Sequence, residues 1–390
     1  MSRQAPFKVA ITADAVRPDG TSIHGDLGLE RLTNAGIQWH VLPSYEDPIP
    51  REHLQGMDAV LSLGHIHFGE ETMAAAPKLK LVARFGAGYD TIDLDACTRS
   101  GVLVTNTPTA VRKPLAAAGL TLVLVLAHQL LAKHRLTRTS SWAERERHRG
   151  SSIDGATLGI VGFGSVGAEL ARMAAPLGLK LLGNNRSGHH PKADELGVKL
   201  VGLEELLRAS DYVVLCAALT PETEKLIGQR ELELMKPSAF LVNIGRGRLV
   251  DTDALRDALR RDRIAGAGLD VFEPEPLAAD DELLQMENVV LSPHSLCWTA
   301  DFTRDVSASA LEAVLDVASG RPPRNLLNPD AWPTANAADA SASSGGGIGG
   351  AVTPVGAVAV SETASHVVYL RSQGHDIDVP VTEPRPAVSR

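Results

Sequence analysis

Apolar residues along this chain come in short blocks, and the blocks alternate with longer stretches of helical character, which is the pattern of an α/β protein. Residues 7–12 (FKVAIT), 58–62 (DAVLS) and 79–83 (LKLVA) read as strands with helical stretches between them. A second series follows at 156–161 (ATLGIV) and 180–183 (KLLG), then in runs beginning at Phe240 and Gly266 and one ending at Leu291. Continuous apolar runs of this kind suit strands covered by helices on both faces, as in parallel sheets. Residues 168–177, closed by Gly178, and residues 301–319, closed by Gly320, read as helices. The blocks predict a first α/β domain over residues 1–108, a second over 109–298, a return to the first over 299–330, and a tail over 331–390. The tail turns to Ala, Ser and Gly, with SSGGGIGG at 343–350, and is expected to be disordered because it has too little apolar surface to offset its ordering entropy.

Residues 115–132 are the most hydrophobic stretch and invite a membrane-spanning reading. His128 and Gln129 interrupt it, Lys113, Lys133, His134 and Arg135 bracket it, and its length barely reaches across a bilayer. It lies between two domain halves and reads as a buried helix, so no membrane association is expected. Acidic residues outnumber basic ones, 47 to 38, and the net charge of −9 leaves no broad basic field to recruit nucleic acid. The segment 143–149 (AERERHR) mixes both signs and reads as a solvated helix face. Cys97, Cys216 and Cys297 are scattered and odd in number, which fits free thiols in a reducing compartment rather than zinc. The N-terminus lacks an apolar signal core, so a cytoplasmic protein is expected. His24, His65 and His67 have no nearby carboxylate pattern that argues for a metal, and none is expected. His65 and His67 alternate at strand spacing, so both can face a cleft.

The candidate chemistry begins at Gly162-Phe-Gly-Ser-Val-Gly167, placed between a strand and a helix. There Gly162 permits the tight turn, Gly164 lets the backbone approach a pyrophosphate, and Gly167 allows close packing of helix on strand. The helix start offers free N–H groups to phosphates. At the end of the next strand an NAD site usually carries an acid for the adenosine ribose. This chain has Asn184, Asn185, Arg186 and Ser187 instead. A guanidinium and a hydroxyl suit a 2′-phosphate, which favours NADP over NAD. In the other reading, Asn185 bonds the ribose of NAD and Arg186 is solvated.

Four further residues stand at or just beyond strand ends, the edge where open α/β sheets bind ligands. Arg246 lies between glycines in 240–247 (FLVNIGRG), and its planar fork can hold a carboxylate. Asp270 closes the run from Gly266, and Glu275 follows between two prolines. His294 follows Pro293 after the last run. A carboxylate beside an imidazole favours the charged form of the ring, so a Glu–His pair suits a general acid working near neutral pH. Taken separately, each of these residues could be an ordinary turn residue.

The chain resembles the D-isomer-specific 2-hydroxyacid dehydrogenase family, which includes glyoxylate/hydroxypyruvate reductases and phosphoglycerate dehydrogenases. The resemblance covers roughly residues 7 to 330 and rests on 86–93 (GAGYDTID), 104–108 (VTNTP), the Gly162 fingerprint, 219–223 (LTPET), 242–247 (VNIGRG), 269–272 (LDVF) and Pro293-His294. It implies two Rossmann-like α/β domains, each a mostly parallel sheet flanked by helices, with the active site in the cleft between them. It implies that Arg246 binds the substrate carboxylate and polarises its carbonyl, that Glu275 partners His294, and that His294 is the acid/base. Asp270 would orient the nicotinamide amide. Backbone N–H groups of Gly86, Ala87 and Gly88 would form a second carboxylate anchor. Ser165 and Val166 would join the glycine turn around the cofactor, with Cys216 and Thr220 on the adenosine side. The helix in 115–132 would pack in a two-fold interface, so a homodimer is expected.

Three departures qualify the resemblance. Asn185 replaces the ribose-binding acid, the segment before Leu219 lacks a proline common in the family, and Trp298 follows His294 where smaller residues are usual. Trp298 is therefore a candidate for the pocket wall. The resulting expectation is an NAD(P)-dependent oxidoreductase that interconverts a small 2-oxo acid and its D-2-hydroxy acid. The alternatives are a phosphoglycerate dehydrogenase-like enzyme and a nicotinamide-sensing, corepressor-like binding protein on the same fold. Around the first-domain loops only Arg84 and a few histidines stand ready for a phosphate, which favours unphosphorylated acids.

Overall fold

The structure, a computed structural model, describes residues 5–17 and 21–332. Almost all of the tail expected from residue 331 lies outside the described residues. Five strands form the first sheet: β1 (Lys8–Ile11), β2 (Gln38–Val41), β3 (Ala59–Ser62), β4 (Leu81–Arg84) and β5 (Leu103–Thr105). Their order is β2-β1-β3-β4-β5, all parallel. Seven form the second: β6 (Thr157–Val161), β7 (Lys180–Asn184), β8 (Val198–Leu200), β9 (Tyr212–Leu215), β10 (Phe240–Asn243), β11 (Gly266–Leu269) and β12 (Val289–Leu291). Their order is β12-β11-β10-β9-β6-β7-β8, again all parallel.

Both sheets are buried on two faces, and successive residues of a strand serve different cores. In the first sheet Val9, Leu61 and Leu81 pack on one side while Ala10, Val60 and Val82 pack on the other. In the second, Leu158, Ile160 and Val214 face one core, and Val161, Val213 and Leu215 face the opposite one. Two-sided burial is why these strands read as unbroken apolar runs. β2, β5, β8 and β9 are additional to the runs identified from sequence. β2 lies at the sheet edge with Gln38, Trp39 and His40 exposed, so no buried face imposes a pattern on it.

The expected apolar helix forms over Pro108–Ala127. It is long and apolar enough to cross a membrane, but Ala116, Leu122, Val123 and Leu126 are buried against the helix Ser165–Ala174 and strands β10 and β11. Gln129 adopts a positive φ of 47° and a separate helix follows over Leu130–Arg138. The mixed-charge segment is exposed, as expected, but forms a 3-10 helix over Trp142–Arg147. The helix Ala300–Ala318 returns to β4 and to the long helix, tying the last described segment to the first sheet.

The strand orders locate the sites. The first sheet reverses its winding between β1 and β3, and the second between β6 and β9. Loops leaving the carboxyl ends diverge at such a point and leave a crevice for ligand. At the first crevice the Asp14 carboxylate accepts the backbone N–H of His65 at 2.9 Å. At the second stands Gly162.

Candidate active site

The glycine turn follows β6 directly. Gly162 has φ +85°, and a Cβ there would collide with the backbone of Ala217 after β9, so only glycine allows the turn to cross the switch point. No neighbour lies closer than 4.0 Å to a Cβ built on Gly164, which leaves open space above the turn. The N–H groups of Ser165, Val166 and Gly167 find no acceptor among the described residues. An open turn below unpaired first-turn amides fits a pyrophosphate.

Arg246, Glu275 and His294 lie beyond the ends of β10, β11 and β12 and line one cavity of 690 Å³ together with His65 and Asp90. A larger hollow of 850 Å³, between the helices Pro108–Ala127 and Ala300–Ala318, contains none of these residues. The Arg246 loop is shaped by buried Asn243, whose amide donates to the Arg246 carbonyl at 2.8 Å and accepts from Gly245 N–H at 3.0 Å. Arg246 Nε donates to Asp90 Oδ1 at 2.9 Å and Nη1 to the Gly245 carbonyl. Burial pushes the Asp90 carboxyl up, and the Arg246 guanidinium outweighs it, holding Asp90 below the usual carboxylate range. A Cβ on Gly88 would collide with Arg246 Nη2, so glycine is needed there for the two loops to meet.

Glu275 uses both oxygens. Oε1 accepts the Phe272 N–H at 2.7 Å and Oε2 lies 2.8 Å from His294 Nδ1. Burial pushes this carboxyl up, but hydrogen bonding and charge from His294 prevail and keep it low. Glu275 is therefore ionised near neutral pH, and its contact at Nδ1 leaves Nε2 of His294 to face a substrate. His294 has φ 52°, a region uncommon for a non-glycine residue. The Asp270 carboxylate secures the chain beyond it by accepting the N–H groups of Ser295 and Leu296 at 3.1 and 3.2 Å. Burial raises the Asp270 carboxyl despite these contacts.

The first domain supplies the opposite wall. Gly86 N–H donates to Thr107 Oγ1 at 2.9 Å, so of the three expected loop amides only those of Ala87 and Gly88 are unpaired among the described residues. Asn106 donates to the Ala87 carbonyl at 2.7 Å. His65 and His67 lie in the loop after β3 rather than on a strand. The His65 ring lies tilted against that of His294, 5.2 Å between centroids, whereas His67 pairs with Asp47 at 2.6 Å. His65 keeps an open edge, but crowding on its other side and the charges of Arg84, His294 and Arg246 lower its pKa to about 4 against the pull of Glu275. Ligand atoms of His65, Glu275 and His294 lie within 4.8 Å of one another, a set that sequence spacing does not reveal. Two guanidinium groups bear on the same space, which opposes a dication and favours an anion. Trp298 packs edge-on to His24 at 4.6 Å, beside the His24–Phe85 stack.

On the adenosine side, Asn185 donates to the carbonyls of Phe163 and His189, clamping the glycine turn. Ser187 Oγ donates to His189 O at 2.8 Å. Arg186 does not stand free as its sequence setting suggests: Nη2 lies 3.3 Å from Glu222 Oε2, which also accepts from Thr220 Oγ1 at 2.8 Å. An acid does reach this stretch, but from the loop after β9. Cys216 begins that loop, its thiol pushed up to about 12 by burial.

Known proteins resemble this chain in sequence and in fold. The family model of the D-isomer specific 2-hydroxyacid dehydrogenase NAD binding domain matches residues 120–295. A glyoxylate reductase of Thermococcus litoralis is 38% identical over 285 residues, 72% of this chain and 86% of that protein. Among solved structures, the TT0316 protein of Thermus thermophilus is 32% identical with a TM-score of 0.72, over 82% of this chain and all of that one. A D-lactate dehydrogenase from Aquifex aeolicus, complexed with NAD and lactic acid, is 26% identical with a TM-score of 0.73, over 82% of this chain and 99% of that one. The chain thus belongs to the D-isomer-specific 2-hydroxyacid dehydrogenase family, oxidoreductases that act on CH–OH donors with a nicotinamide cofactor.

Proposed function

We propose that this protein reduces small, unphosphorylated 2-oxo acids such as glyoxylate or hydroxypyruvate to the D-2-hydroxy acid, with NADPH preferred to NADH. The observation that carries the reading is convergence. The Arg246 guanidinium and the Glu275–His294 pair at 2.8 Å line one cleft, and Gly88, in the loop whose Ala87 and Gly88 amides are unpaired among the described residues, lies against Arg246. The cations lining that cleft, Arg246 and Arg248, are paired with Asp90 and Glu224, which leaves little to hold a phosphate. The glyoxylate reductase relative, and the lactate dehydrogenase that holds lactic acid, support a substrate of this size.

When bound, reduced nicotinamide supplies the hydride for C2. Gly162 makes the turn, Gly164 would leave room for its pyrophosphate, and Ser165, Val166 and Gly167 would present their amides to it. Arg246 and the loop amides hold the substrate carboxylate and polarise the carbonyl. Glu275 fixes His294 through Nδ1, and Nε2 gives the carbonyl oxygen its proton. Asp270 holds the turn that presents His294 and would help to orient the nicotinamide amide.

The test is loss of reduced-nicotinamide absorbance with NADPH and NADH in parallel, against glyoxylate, hydroxypyruvate, pyruvate and bulkier 2-oxo acids. NADPH is expected to be the better donor. Arg186→Ala should lower kcat/KM for NADPH about tenfold and spare NADH, while Glu222→Gln, which releases Arg186, should improve NADPH use. Equal effects on both cofactors would remove the 2′-phosphate assignment. Silence with every acid, despite cofactor binding, would remove the reductase reading.

A homodimer completes the proposal. Leu130, Leu131 and Trp142 are 52%, 49% and 63% exposed on consecutive elements beyond the long helix, a patch that suits a second copy of the chain. Leu131→Asp is expected to shift the species seen by light scattering from dimer to monomer. A wild-type monomer would end this part of the reading.

A further inference from the structure

We propose that Arg84 is the cation that sets the charge of the substrate site, acting from beneath the Gly86–Gly88 loop as a positioning residue and as an electrostatic anchor for the substrate carboxylate. This rests on the 2-oxo acid reductase reading. Arg84 closes β4, is 6% exposed, and spreads its guanidinium under both first-domain loops of the cleft. Nε donates to Gly88 O at 3.1 Å, and Nη1 reaches Phe85 O at 2.6 Å, Leu63 O at 3.2 Å and Ser62 O at 3.3 Å. Its ζ carbon and both η nitrogens lie 3.8 Å from a Cβ built on Gly86. With the carbonyls of Phe85 and Gly88 drawn down to the guanidinium, the loop has its oxygens turned inward. The N–H groups of Ala87 and Gly88 are left without partners among the described residues.

The charge balance points the same way. Every hydrogen-bond partner of Arg84 is a neutral carbonyl, and no carboxylate among the described residues lies within ion-pair distance of it. Nη2 makes no hydrogen bond among the described residues. Arg246, by contrast, already pairs with Asp90. The Arg246–Asp90 pair is close to neutral as a unit, whereas Arg84 meets its nearest carboxylates, Asp14 and Asp90, only through space and beyond ion-pair distance. Its field reaches both neighbouring imidazoles: after burial, Arg84 is the next cause that lowers His24 and His65 to about 4. Burial and Arg246 lower Arg84 itself to about 10, which leaves it charged near neutral pH. A buried cation held by dipoles, with no carboxylate in direct contact, is stabilised further by an incoming anion.

The experiment compares full-length wild type, Arg84→Gln and Arg84→Lys. It measures inhibition by oxamate and turnover of glyoxylate and of its uncharged methyl ester, with NADPH titration by fluorescence as a check on the second domain. Arg84→Gln is expected to weaken oxamate about tenfold or more and to lower kcat/KM for glyoxylate about tenfold further than for the ester. Arg84→Lys, which keeps the charge but not the fork, is expected to recover part of the oxamate affinity. Unchanged oxamate affinity in Arg84→Gln, equal losses on acid and ester, or a lysine variant no better than glutamine would each overturn the proposal. If Arg84→Gln does not fold, Arg246→Ala decides. Arg84 should leave that variant saturable oxamate binding, weakened about 10- to 100-fold, and complete loss would place the whole anchor on Arg246. Failure of the reductase reading would show separately, as wild-type protein that turns over no 2-oxo acid.

Discussion

Replacing His294 by alanine should lower kcat by about 10²–10⁴ while NADPH affinity stays close to wild type. The separation is expected because His294 and the glycine turn hang on different strand ends of one sheet, β12 and β6. The turn around His294 has its own supports: His294 N–H bonds to Ser292 O at 3.0 Å, and Asp270 grips Ser295 and Leu296. Alanine should therefore delete the imidazole without unravelling the loop. The neighbouring His65 is no substitute. With a pKa lowered to about 4 it carries no ionisable proton to spare near neutral pH. Single-turnover absorbance measurements with prebound NADPH give the answer. A variant retaining more than about a tenth of wild-type turnover would mean that the proton comes from elsewhere.

Arg246→Ala should cut kcat/KM by about 10²–10³, raising KM and lowering kcat together, because one guanidinium both anchors the carboxylate and polarises the carbonyl. The loss has a second source. Asp90, 2.9 Å from Arg246 Nε, would be left facing an incoming carboxylate with its counter-charge gone. Adding Asp90→Asn to Arg246→Ala should therefore regain part of the lost affinity, a non-additivity that a double-mutant cycle measures. Arg246→Lys should not rescue well, since an ammonium cannot serve Asp90, Gly245 O and a substrate through a planar fork. If KM alone rises while kcat holds, Arg246 binds the acid but does not polarise it.

What could be read from the chain was whatever a single segment encodes. Gly162 announces itself because the run before it, the glycine turn and the helix after it stand in one stretch of chain, although the clash at Ala217 that demands a glycine does not. Glu275 and His294 were recognisable because each follows a strand end within a short motif. Contacts between distant segments were not legible. Arg84 looks like the last residue of a strand until Ser62, Leu63 and Gly88 are seen around it. Asp90 stands two residues past Gly88 in a legible motif, but its partner lies 156 positions away. Glu222 reverses the apparent freedom of Arg186 from a loop 36 residues downstream. The loss of Gly86 as an amide donor depends on Thr107 folding back over it, which glycine spacing cannot report.

The three residues proposed for the chemistry all follow strands of the second sheet, β10, β11 and β12, while Ala87, Gly88, His65 and Arg84 belong to the first. On this reading the Glu275–His294 pair stands on one sheet and the recognition loops on the other, with Arg246 serving both tasks. Loops after β3 and β4 can drift, lengthen or be exchanged between relatives without disturbing the Glu275–His294 pair. New substrates are then open to evolution, or to chimaera design, through one half of the molecule while the other keeps its reactivity intact.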